Sequence, residues 1–536
     1  MAQKKIVKPW VKKAGVVLLV IAVIGGLYWA ANNTDLGKSD ETEKTEKSDK
    51  GFFSKIFGGD DKKDYITVGT NTYAGFLPFM YLNNGSLEPT EDCPLYKDYG
   101  LKMKIVIQDD FKAGRAGFLN DGIDIIYCTC DALPTEMSEG SEMTDARFFN
   151  ISNWSRGADA IVAKKNIKNV GDLIGKVVAC SQGTASHTLL LNTLETNGIG
   201  SDRVHTGEGR DMTKVNIKIV ESGLDAAAVF KAGECDAAVV YSPDDQDIAN
   251  DKTMNAKVLV STKQASNIIC DGLIAKQKFL DENKEDVQKL VSALLMANDK
   301  MNNDPNAVKI AAQGFAKCYG TEPEFAIEGS KNIHYCTLGD EINFFGMNAE
   351  YTGVTGSELY SKMARTYSKL GLCKSPLAWN KVNDSSIIDE LAADPTKVKG
   401  DQKAEGAKKF TAPTKENETA TAISSKKVTI EYPTNGYTLD NNATSLIDEQ
   451  FVPIVKQFSG SRIRVVGNTD DTGSDAVNDK LSYARAKSVV DYLCRVCGCD
   501  PNQFVIVGNG SKKAKLDGVK GDNQNYRTTD LELIVE

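Results

Sequence analysis

The stretch "KVVACSQGTASHTLL", Lys176 to Leu190, decides how the middle of this 536-residue chain is read. Its apolar first half ends at Ser181, a glycine follows at position 183, and small hydroxyl residues then open a run that suits a helix. The order is strand, tight loop, helix. Gly183 permits close approach of the backbone. Thr184 and Ser186 place hydroxyls at the helix start, where N–H groups without intrahelical partners suit an anion. The same residues also make a plain N-cap, so this stretch alone leaves binding and capping both open.

Outward from it the pattern repeats. Apolar strands alternate with helical runs from about Tyr65: "YITVGT" (65–70), "MKIVIQ" (103–108), "IDIIYC" (123–128), "ADAIVAK" (158–164), "VNIKIV" (215–220), "CDAAVVY" (235–241) and "AKVLVS" (256–261). This predicts an α/β fold with a mainly parallel sheet, whose ligands sit beyond the carboxyl ends of the strands. The candidate ligand residues are therefore Tyr73, Phe76, Asp131, Gln182, Gly183, Thr184, Ser186, Tyr241, Asp244, Asp245 and Asp271, with Trp154 as a further cleft aromatic. A helix start suits an anion, whereas carboxylates among aromatics suit an amine or other cation. The charge of the ligand stays open, and several of the aspartates also fit as strand-end caps.

Over roughly residues 65 to 340, "VGTNTYAGFLPFMY", "GADAIVAKKNIKNVGDLIGKVVACSQGTASHTLL" and "VESGLDAAAVFKAGECDAAVVYSP" resemble a periplasmic solute-binding protein of the nitrate/sulfonate/thiamine-precursor type associated with ABC transporters. The resemblance implies two α/β lobes joined by crossover strands, a hinge near "GADAIVAKK", a ligand in the cleft, and an anionic head group at Gln182 to Ser186. A lobe pair kept only as a scaffold is the other reading. No nucleophile pair stands out, and His187, His205 and His334 are isolated, so neither an enzyme, a cofactor nor a metal is expected.

The N-terminus holds five lysines in "MAQKKIVKPWVKK" and then an uncharged run, Ala14 to Ala31. About 18 residues at 1.5 Å each cross a bilayer core. Residues 1–13 are expected in the cytoplasm, 14–31 as one transmembrane helix of the inner membrane, and the body in the periplasm. A cleaved signal peptide has the same parts. Residues 32–64 and 393–426 are polar enough to be linkers, the second reaching about 100 Å if extended. The net charge of −9 argues against nucleic acid. Of the twelve cysteines, Cys128, Cys130, Cys180, Cys235 and Cys270 read as small core residues. Cys494, Cys497 and Cys499 read as a disulfide or buried thiols at a helix end.

Residues 427–536 read as a small α+β sheet with helices on one side. Within them, "GNTDDTGSDAVNDKLSYARAKSVVDYL", Gly467 to Leu493, resembles the OmpA-like peptidoglycan-binding domain. The resemblance implies that Asp470 and Arg485, with Thr469 and Asn478, grip the diaminopimelate of the stem peptide. The pairing is chemically sensible, since a carboxylate binds the ammonium and a guanidinium forks onto the carboxylate of the amino acid centre. The family's histidine is Asn468 here, and Asn525 and Arg527 match its last motif only approximately. The expected molecule is a multidomain, membrane-anchored envelope protein that binds a small solute between two lobes and peptidoglycan at its C-terminus. A wall-anchoring stator subunit of an ion-driven motor shares this layout, although residues 14–31 carry no acid. An integral-membrane transporter or motor partner and a second copy of the chain stay open as partners.

Overall fold

The structure, a computed structural model, describes residues 63–432 and 436–535. The expected transmembrane helix and nearly all of the expected 32–64 linker lie outside the described residues. Among those described, no helix is long and apolar enough to cross a membrane.

The first twelve strands are β1 (Ile66–Thr70), β2 (Met103–Ile107), β3 (Ile125–Thr129), β4 (Ala146–Ser155), β5 (Asp159–Lys164), β6 (Val177–Ser181), β7 (Val204–His205), β8 (Val215–Val220), β9 (Ala237–Tyr241), β10 (Ala256–Ser261), β11 (Cys270–Lys276) and β12 (Ile333–Tyr335). They form two sheets, ordered β12-β4-β11-β3-β1-β2 and β10-β5-β9-β6-β8-β7. Each sheet is the centre of one lobe. The chain crosses between the lobes twice, over 156–158 and over 262–269. Each return reverses its direction, so β11 lies antiparallel to β3 and β4, and β5 antiparallel to β9 and β10. The sheets are therefore mixed, a correction to the mainly parallel sheet that the sequence suggested.

The two crossovers are stitched together. Ser155 donates to Asp159 at 2.8 Å and shares a 2.7 Å hydrogen bond with Thr262, whose Oγ1 accepts the Gly157 N–H at 2.8 Å. Gly157 has φ +136°, and a Cβ there would stand 2.9 Å from Asn332 and Lys263. Only glycine fits this turn without displacing both neighbours.

In the second lobe, α1 (Ala185–Glu195) buries Leu189, Leu190 and Leu194 against the sheet, and α2 (Asp244–Asn250) follows β9. After β11, α3 (Lys284–Asn303) covers the first lobe through Val287, Leu290, Val291 and Leu294. Next comes α4 (Gly356–Lys369). Its start is fixed by reciprocal bonds between Thr355 and Glu358, and its stripe of Leu359, Tyr360, Met363, Ala364 and Tyr367 is buried. That spacing is the one a helix needs to turn a single face inward.

The C-terminal domain has a third sheet of β13 (Ala422–Val428), β14 (Arg462–Gly467), β15 (Phe504–Gly508) and β16 (Thr529–Ile534), ordered β13-β16-β14-β15. It packs with α5 (Asn441–Gln450), α6 (Val452–Gln457) and α7 (Asp475–Cys497). Pro453, in the first turn of α6, separates that helix from α5. β13 starts at Ala422, inside the stretch read as linker.

The rest of that stretch is not a free tether. Gln402 accepts the Leu338 N–H at 2.9 Å, the Glu405 N–H donates to Asp340 at 2.7 Å, and Phe410, buried, donates its N–H to Asp500 at 3.1 Å. Its polarity reflects an exposed path whose backbone is satisfied by the body. The domain it leads to rests on the lobes: Ser425 N–H donates to Asn197 at 3.0 Å, and Asn267 N–H and Nδ2 donate to the carbonyls of Gln457 and Lys456, each at 3.0 Å. Ser266 also bonds Ser459 at 2.8 Å. Second-lobe and C-terminal apolar residues form one continuous core. All twelve cysteines are thiols, and the five read as core are buried.

Candidate functional site

The lobes meet over a group of buried acids. After β1 the chain turns through Tyr73, whose hydroxyl donates to Asn153 Oδ1 at 3.3 Å. Asn153 faces Asp271 across the β4–β11 pair. Burial holds Asp271 well above the usual carboxylate range, Asp159 and Asp131 add to this, and the Tyr73 hydroxyl opposes it. Asp131, fully buried beyond β3, accepts the Cys270 N–H at 3.4 Å through Oδ1, while Oδ2 has no partner. Burial raises it to about 7. Asp159, in the hinge, is raised to about 6 by burial, with Ser155 opposing and Asp245 adding. Isolated buried carboxylates are costly, and acids in such a place take up protons instead.

The second lobe supplies the opposite wall. Ser186 donates to the Tyr241 hydroxyl at 3.5 Å, and burial lifts that phenol to about 12. The His187 Nδ1 accepts the Gly183 N–H at 3.3 Å, which places the ring's proton on Nε2. Nε2 has no partner, and burial lowers the imidazole to about 4. Gly183, at φ +74°, faces Thr135 of the first lobe, which donates to its carbonyl at 3.4 Å. The Asn153 Nδ2 and Asp245 Oδ1 also lack partners. The cleft is closed, and polar atoms from both lobes stand in it unsatisfied.

A second group forms at the carboxyl end of β14. Asp470, buried, accepts the N–H groups of Thr472 and Asn523, each at 3.2 Å, and pairs with Arg527 at 3.3 Å. Arg485, on the inner face of α7, donates to the Gly436 carbonyl at 3.1 Å and lies 4.6 Å over the ring of Tyr432. Burial lowers its pKa, while Tyr432 and Asp470 oppose this. Thr469 Oγ1 and Asn478 Nδ2 are buried and unpartnered close by in the chain. Asn468 is committed elsewhere, donating to Thr528 at 3.1 Å and Asp530 at 3.2 Å, so it ties the loop to β16.

Residues 96–308 match the family described as NMT1/THI5 like, and residues 432–528 match the OmpA family. The chain joins an NMT1/THI5-like module to an OmpA-family module. Outer membrane porin F of Pseudomonas aeruginosa is 33% identical over 70 residues, 13% of this chain and 20% of that protein. This chain therefore spans a fifth of that relative's length. Among solved structures, the periplasmic aliphatic sulphonate binding protein SsuA of Escherichia coli has 17% identity and a TM-score of 0.45, covering 61% of this chain and 100% of its own. The nitrate-binding protein NrtA of Synechocystis PCC 6803 has 13% identity and a TM-score of 0.46, with 64% and 92% covered. The desulfurization enzyme DSZB has 12% identity and a TM-score of 0.41, with 62% and 99% covered.

In the NMT1/THI5-like module, Tyr73, Asp131, Ser186, Tyr241 and Asp271 lie about the region where the lobes meet, and Gly183 and Thr184 stand at the start of α1. Phe76 is buried behind Tyr73, their rings 6.0 Å apart, and supports rather than lines the cleft. Gln182 makes no side-chain hydrogen bond to the acids and stays partly exposed. Two expectations need correction. Asp244 turns outward to pair with Lys231, and its neighbour Asp245 is the one buried. Trp154 follows Asn153 in β4 and so points to the other face, against Phe344 at 5.9 Å. Sequence reasoning missed Asn153, Asp159 and Tyr367 in the cleft. In the OmpA-family module, Asp470 and Arg485 converge, and Tyr432 is the missed partner.

Proposed function

We propose that this is an envelope protein that holds a small solute between its two lobes and attaches to peptidoglycan through Asp470 and Arg485. It is a binding protein, not an enzyme. Residues 14–31 anchor it in the inner membrane, with the body in the periplasm. The observation that carries the wall contact is the meeting of Asp470, Arg485 and Arg527, charges of both signs around a buried aspartate, with Thr469 and Asn478 atoms unspent nearby in the chain. A diaminopimelate centre offers the complementary ammonium and carboxylate. The solute reading is supported by orphaned polar atoms in the closed cleft, since buried groups without partners are uncommon unless something else satisfies them.

The test is co-sedimentation with purified cell-wall sacculi. The full-length protein is expected to pellet, and Asp470→Asn with Arg485→Leu to stay in the supernatant while keeping the parent's circular dichroism and melting temperature. Pelleting of the folded double variant would sink the assignment.

A further inference from the structure

The unspent atoms in the cleft are of two kinds. Around Asp131, Asp159 and Asp271 there are carboxyls from the end of β3, from the hinge and from β11, brought together by both lobes' crossovers. The charged groups acting on Asp159 and Asp271 are other carboxyls. Tyr73 and Tyr241 close the sides with phenol rings. Beside the acids stands a buried donor that nothing uses, the Asn153 amide Nδ2. Asn153 is aimed into the group, because its amide oxygen already holds the Tyr73 hydroxyl and it lies across from Asp271.

We infer that the cleft takes a small solute bearing a protonated amine, seated among Asp131, Asp159 and Asp271, with a hydrogen-bond acceptor of the same solute against the Asn153 amide. The inference rests on the solute-binding reading and names its ligand class. An anion at this position would meet three carboxyls, and each would have to stay protonated for it to remain. A cation lets the acids ionise, pairs with them, and gains from the ring faces of the tyrosines. The free Asn153 amide disfavours a bare metal ion, since a metal would leave that donor unsatisfied. A solute with acceptor and amine close together satisfies the Asp131 Oδ2 and the Asn153 amide at once.

The test uses the full-length protein in detergent at pH 7.5, followed by thermal unfolding. One series is ethanolamine, putrescine, L-lysine and agmatine; the other is nitrate, methanesulfonate and sulfate. At least one amine is expected to raise the melting temperature saturably, as a ligand of the folded state must, with no saturable rise from the anions. Asp271→Asn is expected to abolish the rise. Asn153→Ala leaves the acids in place and is expected to weaken apparent affinity about tenfold, the loss of one buried hydrogen bond. It also covers the case in which Asp271→Asn fails to fold. A saturable rise from anions alone overturns the ligand class and leaves the solute reading standing. Equal rises from both series mark a salt effect and overturn the class. No rise from either overturns both.

Discussion

Asp131 shows how one side chain ties stability to pH. Its folded pKa of about 7 lies above that of the unfolded chain, as do those of Asp159, Asp271 and Glu341, all through burial. Between pH 4 and 7 the native state therefore holds protons that the unfolded chain has released, and stability falls as pH rises through this window. His187, lowered to about 4, acts oppositely and costs stability as pH falls below 6.5. Four acids outweigh one imidazole. The unliganded protein is expected to melt higher at pH 5.5 than at pH 7.5, and Asp131→Asn to melt higher than the parent at pH 7.5, by an amount that shrinks toward pH 5. A melting temperature that climbs steadily from pH 5 to 7.5 would contradict the buried acids. At this scale the sequence was informative about residue type and less so about direction. "YSPDD" offers two adjacent acids, and nothing in the letters says that Asp245 turns inward while Asp244 pairs with Lys231. Asp470 and Arg485 were legible because a spaced motif carries them, whereas Tyr432 lies over fifty residues before Arg485 and meets it only through the fold.

Among the elements, α4 has an unusual place. Tyr360 donates to the Met137 carbonyl of the first lobe at 3.4 Å, while Tyr367 donates to the Thr184 carbonyl of the second at 3.3 Å and bonds Thr188 at 2.7 Å. The Asn192 amide reaches the Met363 sulfur at 3.3 Å, and Lys362 bonds both Glu195 and Gln457 at 2.7 Å. The helix clasps the lobes in the closed form. Tyr367→Phe is expected to cost about 1 kcal/mol of unfolding free energy, the usual worth of one such bond. It should also speed amide exchange in α1, and unchanged exchange there would argue against a clasp. Eight of the strands were readable as apolar runs. β4 and β11 were not, and their polar residues explain why. Asn150, Ser152, Asn153 and Asp271 interrupt the alternation because these strands carry the cleft and its supports, so the pattern weakens where the site is built.

As a whole molecule, the described chain is one body from the first lobe to the C-terminal sheet. The 393–426 stretch looks like a linker in composition, since its order depends on distant partners such as Leu338, Asp340 and Asp500 that no local reading supplies. It contains Lys397, Lys399, Lys403, Lys408 and Lys409, all targets for trypsin. The native protein is expected to resist cleavage there under conditions that cut a flexible lysine-rich segment within minutes, because a held backbone must open before a protease can bind it. Rapid cutting within this stretch would show that it is loose.

The OmpA-family module is bonded through Gln457, Lys456 and Ser459 to the 262–269 crossover, one of the two segments that join the lobes. A protein fixed to a bilayer at one end and to the cell wall at the other bears tension whenever the gap between them widens. Under the attachment proposed above, the load path of this chain runs into that crossover. On that proposal, a turn of one lobe about the crossovers has to carry the wall-bound end with it or break these bonds, and the spacing of the envelope then sets how freely the lobes part.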